Sequence, residues 1–318
     1  MEGYPDRNIS HTSFILMGFH GLKEGRRLLF IPFFLMFLLS LFANSMLIFI
    51  ITSTRTLHSP MYILIGVMAV VDFILPIFFV PHMLLSFLLD WNGISLVGCL
   101  TQMFHIHFIG SFQSTLLVWM ALDRYFAICM PLRYNDFMAV TPFLKFVIAP
   151  VLRNAILNLA MVSLAGSRSY CLSNVIHHCF CEHMALVNLG CGDISTSNIV
   201  GLIAALSIPT ADFFIITASY VKIFISVLKS GKSHQKALST CVTHIIVITV
   251  SLIFALTAFL SYRINNNMSS DSRVFVSTMY LLFPSCFNPV IYGIRTNEIR
   301  QQILKVMKCG KIAPVSVR

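Results

Sequence analysis

Charge is what this chain has least of. Only 11% of its 318 residues are charged, and acids are the scarcer sign, 12 Asp and Glu against 22 Lys and Arg. A soluble globular chain carries about 25% charged residues, enough to cover its wetted surface. Soluble enzymes, disordered tails and small secreted disulfide scaffolds are therefore excluded as readings of this composition. Other absences narrow the field. There is no HExxH, and no triad of nucleophile, base and orienting group can be placed, so a membrane enzyme is not expected. There is no internal repeat, and no segment between apolar runs is long enough to form a soluble domain. The first 27 residues hold no apolar h-region, so the first span is expected to serve as the targeting signal in place of a cleaved peptide.

What the chain does have is apolar mass. It is 57% hydrophobic, with 28 Phe and a mean hydropathy of +0.83. A membrane helix needs about 20 mostly apolar residues. Residues 28–52 supply the first without a single charge, and further runs fall near 59–86, 99–122, 142–165, 199–221, 240–260 and 274–294. The fourth is interrupted by Arg153, Asn154 and Asn158. The expectation is an all-α membrane protein, a bundle of seven transmembrane helices. It divides into a tail over 1–27, a membrane domain over 28–294 and a short amphipathic helix with the C-terminal tail over 295–318.

The net charge of +10 is resolved by position. One side of the membrane, made of 53–58, 123–145, 222–239 and 295–318, carries 14 basic and three acidic residues; the other side balances seven against seven. Basic loops stay cytoplasmic, so the C-terminus is expected inside and the N-terminus outside, and nucleic acid is not needed to explain the charge. The sequons at Asn8 and Asn267 both fall on the outer side, with Asn8 in the exposed tail the better acceptor. Five cysteines (Cys99, Cys171, Cys179, Cys181, Cys191) also fall outside, where disulfides persist; the odd number leaves at least one without an internal partner. The run His177 to His183 has the composition of a soft-metal site, yet a disulfide-pinned loop explains it better, because bonded sulfurs are not ligands. Cys309, beside Lys305, Lys308 and Lys311, is a juxtamembrane thiol suited to palmitoylation.

Charges within a bilayer are costly, and Asp72, Arg153 and Asp212 all lie within spans. Asn44 and Asn288 are placed to join Asp72 in a polar core. Such a cluster serves a transporter as an ion site, a receptor as a switch, or either as a hydrogen-bond network holding helices together. Pro76, Pro81, Pro209, Pro284 and Pro289 each remove a helical hydrogen bond and can create a pivot. An ion-coupled transporter or channel is the competing reading, although no inverted repeat or pair of interrupted helices supports it.

At Asp123-Arg124-Tyr125, closing the third span, the chain resembles rhodopsin-like G-protein-coupled receptors, and the likeness continues in Asn288-Pro289-Val290-Ile291-Tyr292 closing the seventh. Within that class it resembles odorant receptors through Leu57 to Tyr62, Met120 to Cys129, Pro131 to Tyr134, Ser219-Tyr220 and Lys236 to His244. Cys181-Glu182-His183-Met184, Leu189 to Asp193, Arg153 and Asp212 resemble the class I, fish-like subgroup. The resemblance implies disulfides Cys99–Cys181 and Cys171–Cys191, leaving Cys179 odd, and a loop held as a lid over a pocket between spans three, five and six. It implies a plasma-membrane receptor without a cofactor, whose partners are a small odorant, membrane lipids and a stimulatory olfactory-type G protein that raises cyclic AMP.

For the ligand, the resemblance points to Arg263 at the outer end of span six, where acid-sensing class I receptors carry arginine. A guanidinium fork donates two parallel hydrogen bonds to a carboxylate and stays charged. The competing reading is an arginine snorkelling to the interface. His107 matches a pocket position, with a packed histidine as its alternative; Ser111, Gly201, Ala205 and Phe259 are expected to face the same cavity, Gly201 and Ala205 leaving room for a ligand chain. Phe259 departs from relatives that carry a small polar residue there and makes the cavity shorter or more aromatic. Gln113 departs from the family's glutamate, so cation binding beside Asp72 is expected to be weaker. Span seven holds no lysine for a retinal Schiff base, and Ile106 stands where amine receptors have aspartate. On the cytoplasmic side Asp123 is expected to hold Arg124 at rest. Agonist contact would move span six near His244 and release Arg124 toward Tyr220 and the G protein. The basic loop (Lys229, Lys232, Lys236) would then contact either that protein or anionic lipid.

Overall fold

The structure is a computed structural model that describes residues 10–230, 235–261 and 268–309. The chain enters as a short strand, β1 (Ser13–Leu16), and a 3-10 segment (His20–Leu29) that leads into α1 (Phe30–Ser53). The second rod is broken: α2 (Pro60–Ile74), a 3-10 turn (Leu75–Phe78) and α3 (Val80–Leu89). Pro76 and Pro81 start the turn and α3 respectively, where a missing N–H costs least, so the kink expected from these prolines is realised as a change of helix type. Asp90, in the left-handed conformation at φ 54°, ends α3. The strand β2 (Gly93–Ser95) then leads into α4 (Leu96–Cys129), whose first turn is capped by the Ser95 hydroxyl accepting from the Gly98 N–H.

A short helix α5 (Tyr134–Met138) precedes α6 (Val140–Gly166). The outer loop carries β3 (Val175–Ile176) and α7 (His183–Val187), and α7 is capped by Glu182, which accepts from the Ala185 N–H at 2.7 Å. Next come α8 (Ser195–Ser230), α9 (Gln235–Ser261) and α10 (Ser270–Arg295). The terminal α11 (Asn297–Cys309) is short and amphipathic. The seven rods are α1, the α2–α3 pair, α4, α6, α8, α9 and α10. The last five cover their expected spans and overrun them, while α1 and α2 begin one or two residues inside theirs; α8, for instance, extends about two turns beyond residue 221.

Among the described residues, five segments are each long and apolar enough to cross a bilayer unaided: His20–Ser53, Pro60–Leu89, Val147–Gly166, Ser195–Lys229 and Ser270–Arg295. The rod α4 reaches that standard only together with its bent continuation, and α9 offers a shorter apolar stretch, Ile245–Ser261. For α4 the reason is its place. It packs against α2, α6, α8 and α9 at the centre of the bundle, and it carries Gln102, His107, Gln113 and Asp123 inward. Outward faces are greasy instead: Phe42, Phe49, Ile63, Ile156 and Phe214 are all exposed, as bilayer-facing side chains are.

An outer sheet, which no periodicity in the sequence announces, covers the bundle. Its order is β2-β1-β3, with β1 antiparallel to β2 and parallel to β3. Phe14 and Leu16, fully buried, pack from β1 onto Tyr170, Ile176 and the Cys99–Cys181 region. Burying both side chains gives about 4 kcal/mol of hydrophobic stabilisation, enough to fix the tail as part of the bundle's roof.

Candidate functional site

A partly open cavity of about 150 Å³ lies under this roof, among α4, α6, α8, α9 and α10. His107, Ser111, Gly201, Ala205 and Phe259 all line it, as do Gln113 and Asn288 at its inner end. Arg263 lies outside the described residues, as do Asn8 and Asn267. The lid is formed by Phe180, Glu182, His183 and Met184, held by disulfides between Cys99 and Cys181 and between Cys171 and Cys191. Both pairings agree with those implied by the family pattern. Cys179 is the odd thiol; it is buried, and burial pushes its pKa up. A Cβ at Gly18 would stand 2.2 Å from its sulfur, so glycine there lets the tail pass directly over the loop. His178 is fully buried and receives the Phe180 N–H on Nδ1 at 3.3 Å; burial pulls its pKa down to about 3.

One detail differs from the sequence reading. Gly201 does border the cavity, but a Cβ there would meet the His183 ring at 2.4 Å. The space that glycine frees is occupied by the lid's imidazole, so at this position the small residue seats the lid. Ala205, one turn on, keeps its side open to the cavity.

Below the cavity two polar clusters stitch the helices together. Asp72 accepts from the Gln113 amide and from Asn288 Nδ2 at 3.0 Å. Asn44 does not reach the carboxylate. It donates to the Ser285 carbonyl at 2.8 Å and to the Ser40 carbonyl, while the Ser40 hydroxyl bonds the Asp72 backbone carbonyl. Gln113 thus fills one carboxylate oxygen with a donor, where the family's glutamate would bring a second negative charge. The other cluster joins three helices: Arg153 Nη2 lies 3.1 Å from Asp212 Oδ1, and the Ser114 hydroxyl donates to Asp212 Oδ2 at 2.8 Å. The two charges left unassigned by sequence are therefore partners, which removes most of the cost of placing each in a bilayer. Neither residue's sequence neighbourhood names its partner, since they are 59 positions apart.

At the cytoplasmic end Arg124 Nε stands 3.8 Å from Asp123 Oδ2. Asp123 is 2% exposed and also accepts from the Tyr134 hydroxyl at 2.7 Å. The motif Pro131 to Tyr134 alone assigns Tyr134 no role; its contact with Asp123 supplies one. Tyr125 packs edge-on against Phe126, and Phe126 stacks on Phe137. Tyr220 on α8 is buried, and Tyr292, after Asn288-Pro289 in α10, is buried against Met120. His244 lies in α9 and Cys309 closes α11; their side chains are outside what is described.

Comparison with known proteins agrees with this geometry. The family profile described as "Olfactory receptor" matches residues 33–310. Olfactory receptor 52K2 of Homo sapiens is 36% identical over 297 residues, covering 93% of this chain and 95% of its own length. The human olfactory receptors 52P1 and 51E2 are each 34% identical, over 313 and 308 residues, with 98% and 96% of both chains covered.

Proposed function

The chain belongs to the olfactory receptor family, and from that premise we propose that it detects a small carboxylic acid in the cavity under the outer loop and signals through a stimulatory G protein to raise cyclic AMP. Members of the family are seven-helix plasma-membrane receptors that bind small odorants and act on G proteins; they are not enzymes. Membership sets aside the transporter or channel reading, and the similarity to the 52 and 51 receptors fits class I.

The observation that carries the ligand reading is a mostly apolar cavity lined by α9 as far as Phe259, on the helix that ends two residues short of Arg263. Phe259, a turn before Arg263 in sequence, lines that cavity. A carboxylate paired with the guanidinium would leave its hydrocarbon chain among Ala205, Ile208 and Phe259. Its size is limited: about 150 Å³ suits a short chain. The basic loops argue for a cytoplasmic C-terminus. With that orientation, the cluster at Asp123, Arg124 and Tyr134 faces the G protein, alongside Tyr125, Tyr220, His244 and the Asn288-Pro289-Tyr292 segment. Agonist binding shifts the resting equilibrium only by its differential affinity for the two states.

The reading also takes Asn8 as the glycosylated asparagine, Asn267 as a weaker acceptor and Cys309 as a lipidated thiol. The test is a cyclic AMP screen of short carboxylic acids on wild type and Arg263→Ala. Activation of wild type alone is the expected result. Equal activation of both rejects the carboxylate assignment, and activation only by alcohols or aldehydes rewrites the ligand class.

A further inference from the structure

The cavity has one wall that hydrocarbon cannot satisfy. His107 Nε2, on α4, is buried with no hydrogen-bond partner among the described residues. Ser111 follows on the same helix face one turn later and lines the same cavity. Its hydroxyl donates to the Phe108 carbonyl at 2.8 Å, which leaves its lone pairs to accept. Across from it on α6, Asn158 is 3% exposed and lines the cavity too.

The orientation of the Asn158 amide is fixed by chemistry. Its nitrogen lies 2.7 Å from the Asn154 carbonyl, which can only accept, and 3.2 Å from Ser111 Oγ. Both amide hydrogens are thereby used. The amide oxygen is left without a partner among the described residues. Ala205, Ile208, Ala258 and Phe259 of the lining are apolar, while Ser251, Ser277 and Tyr280 add hydroxyl groups to it. A saturated chain lying here would leave the Asn158 oxygen and the His107 nitrogen unpaired, and an unpaired buried polar atom is costly.

We propose that the cavity selects ligands that carry a hydroxyl group, with Asn158 as the specificity-determining residue. This rests on the reading of the cavity as the odorant pocket, and it deepens that reading by naming a second functional group on the ligand. The Asn158 oxygen accepts from the ligand O–H, and the ligand oxygen accepts from His107 Nε2–H. A hydroxyl is both donor and acceptor and serves both partners. A ketone only accepts, so it leaves the Asn158 oxygen bare. In sequence Asn158 registers as a polar interruption of the fourth span; only the fold aims it at the cavity.

The experiment measures cyclic AMP responses of the full chain to matched compounds. The acids are pentanoic, 4-oxopentanoic and 4-hydroxypentanoic acid; the neutral pair is 1-chlorobutane and butan-1-ol. Wild type is expected to respond to the hydroxylated member at about tenfold lower concentration than to its plain partner, with the ketone between or below. Asn158→Leu, matched for surface level, is expected to lose that preference, and Ser111→Ala to narrow it. Plain members matching or beating hydroxylated ones in wild type overturn the proposal, as does a panel silent throughout. So does a preference that survives Asn158→Leu. Where that variant fails to reach the surface, the wild-type ranking and Ser111→Ala decide. A hydroxyl preference in the neutral pair with all acids silent supports this inference while rejecting the carboxylate reading; a strict carboxylate requirement without hydroxyl preference does the reverse.

Discussion

Arg153 on α6 and Asp212 on α8 form an ion pair at 3.1 Å inside the membrane domain, and Ser114 on α4 holds the carboxylate's second oxygen. Three helices thus share one charge pair, and Ser114 itself lines the ligand cavity. Asp212→Asn strips the guanidinium of its counter-charge. The expected cost is about 3 kcal/mol, at the low end for breaking a buried pair because Arg153 is partly exposed. Thermal denaturation of purified receptor checks it. Replacing both residues by leucine should recover most of the loss; a double variant less stable than either single one refutes the pairing as the cause.

Gly201 and His183 should behave as one unit. Gly201→Val puts carbon into the space of the His183 ring and should displace the lid, raising the half-maximal agonist concentration about tenfold or more. His183→Ala in the same chain vacates that space and should restore much of the response. Additive defects in the double variant would show that the two positions act independently.

Tyr134→Phe removes the hydroxyl that donates to Asp123. With one partner fewer, the carboxylate is a less settled anchor for Arg124, and the resting state loses about 1.5 kcal/mol, the low end for a hydrogen bond to a charged group. Agonist-free cyclic AMP should rise several-fold. Unchanged basal signalling at equal surface level would remove Tyr134 from the restraint.

Acid should loosen the lid. His178 titrates near 3 in the fold, against about 6.5 when unfolded, so between those values the unfolded chain binds the extra proton and stability falls as pH drops. Above pH 6.5 the ring is neutral in both states and there is no penalty. Hydrogen exchange of residues 175–181 should therefore quicken as pH is lowered from 6.5 toward 4, after correction for intrinsic rates, and His178→Phe should flatten that dependence. An equally steep dependence in the variant would assign it elsewhere.

Much of this architecture was legible from the sequence. Seven apolar runs, the charge asymmetry and the Asp123, Asn288 and Cys99 motifs carried the fold, because bilayer thickness and loop charge act on local sequence. The two disulfides followed from the family likeness, since spacing alone leaves the pairing of Cys99, Cys171, Cys181 and Cys191 open. Residues that act at long range were not readable. Arg153 and Asp212 each looked like an isolated charge, Asn158 a flaw in an apolar run, and Gly201 a simple vacancy. In each case the missing information was which helix stands opposite. The strand at Ser13–Leu16 escaped notice for the same reason, because four residues carry too little periodicity to announce a sheet whose other strands begin 80 and 162 positions later.

That strand has a consequence for the order of assembly. The sheet's middle position belongs to β1, the first element of the described chain, while its two neighbours belong to segments on either side of α4 and α6. As the polypeptide is synthesised, β1 is finished long before β3 exists, and β3 follows only once four of the seven rods have been made. The roof is therefore a late event completed by an early segment. It closes by recapturing a segment that has waited through the insertion of half the bundle, so that β1, made first, finds its place only after four rods are in.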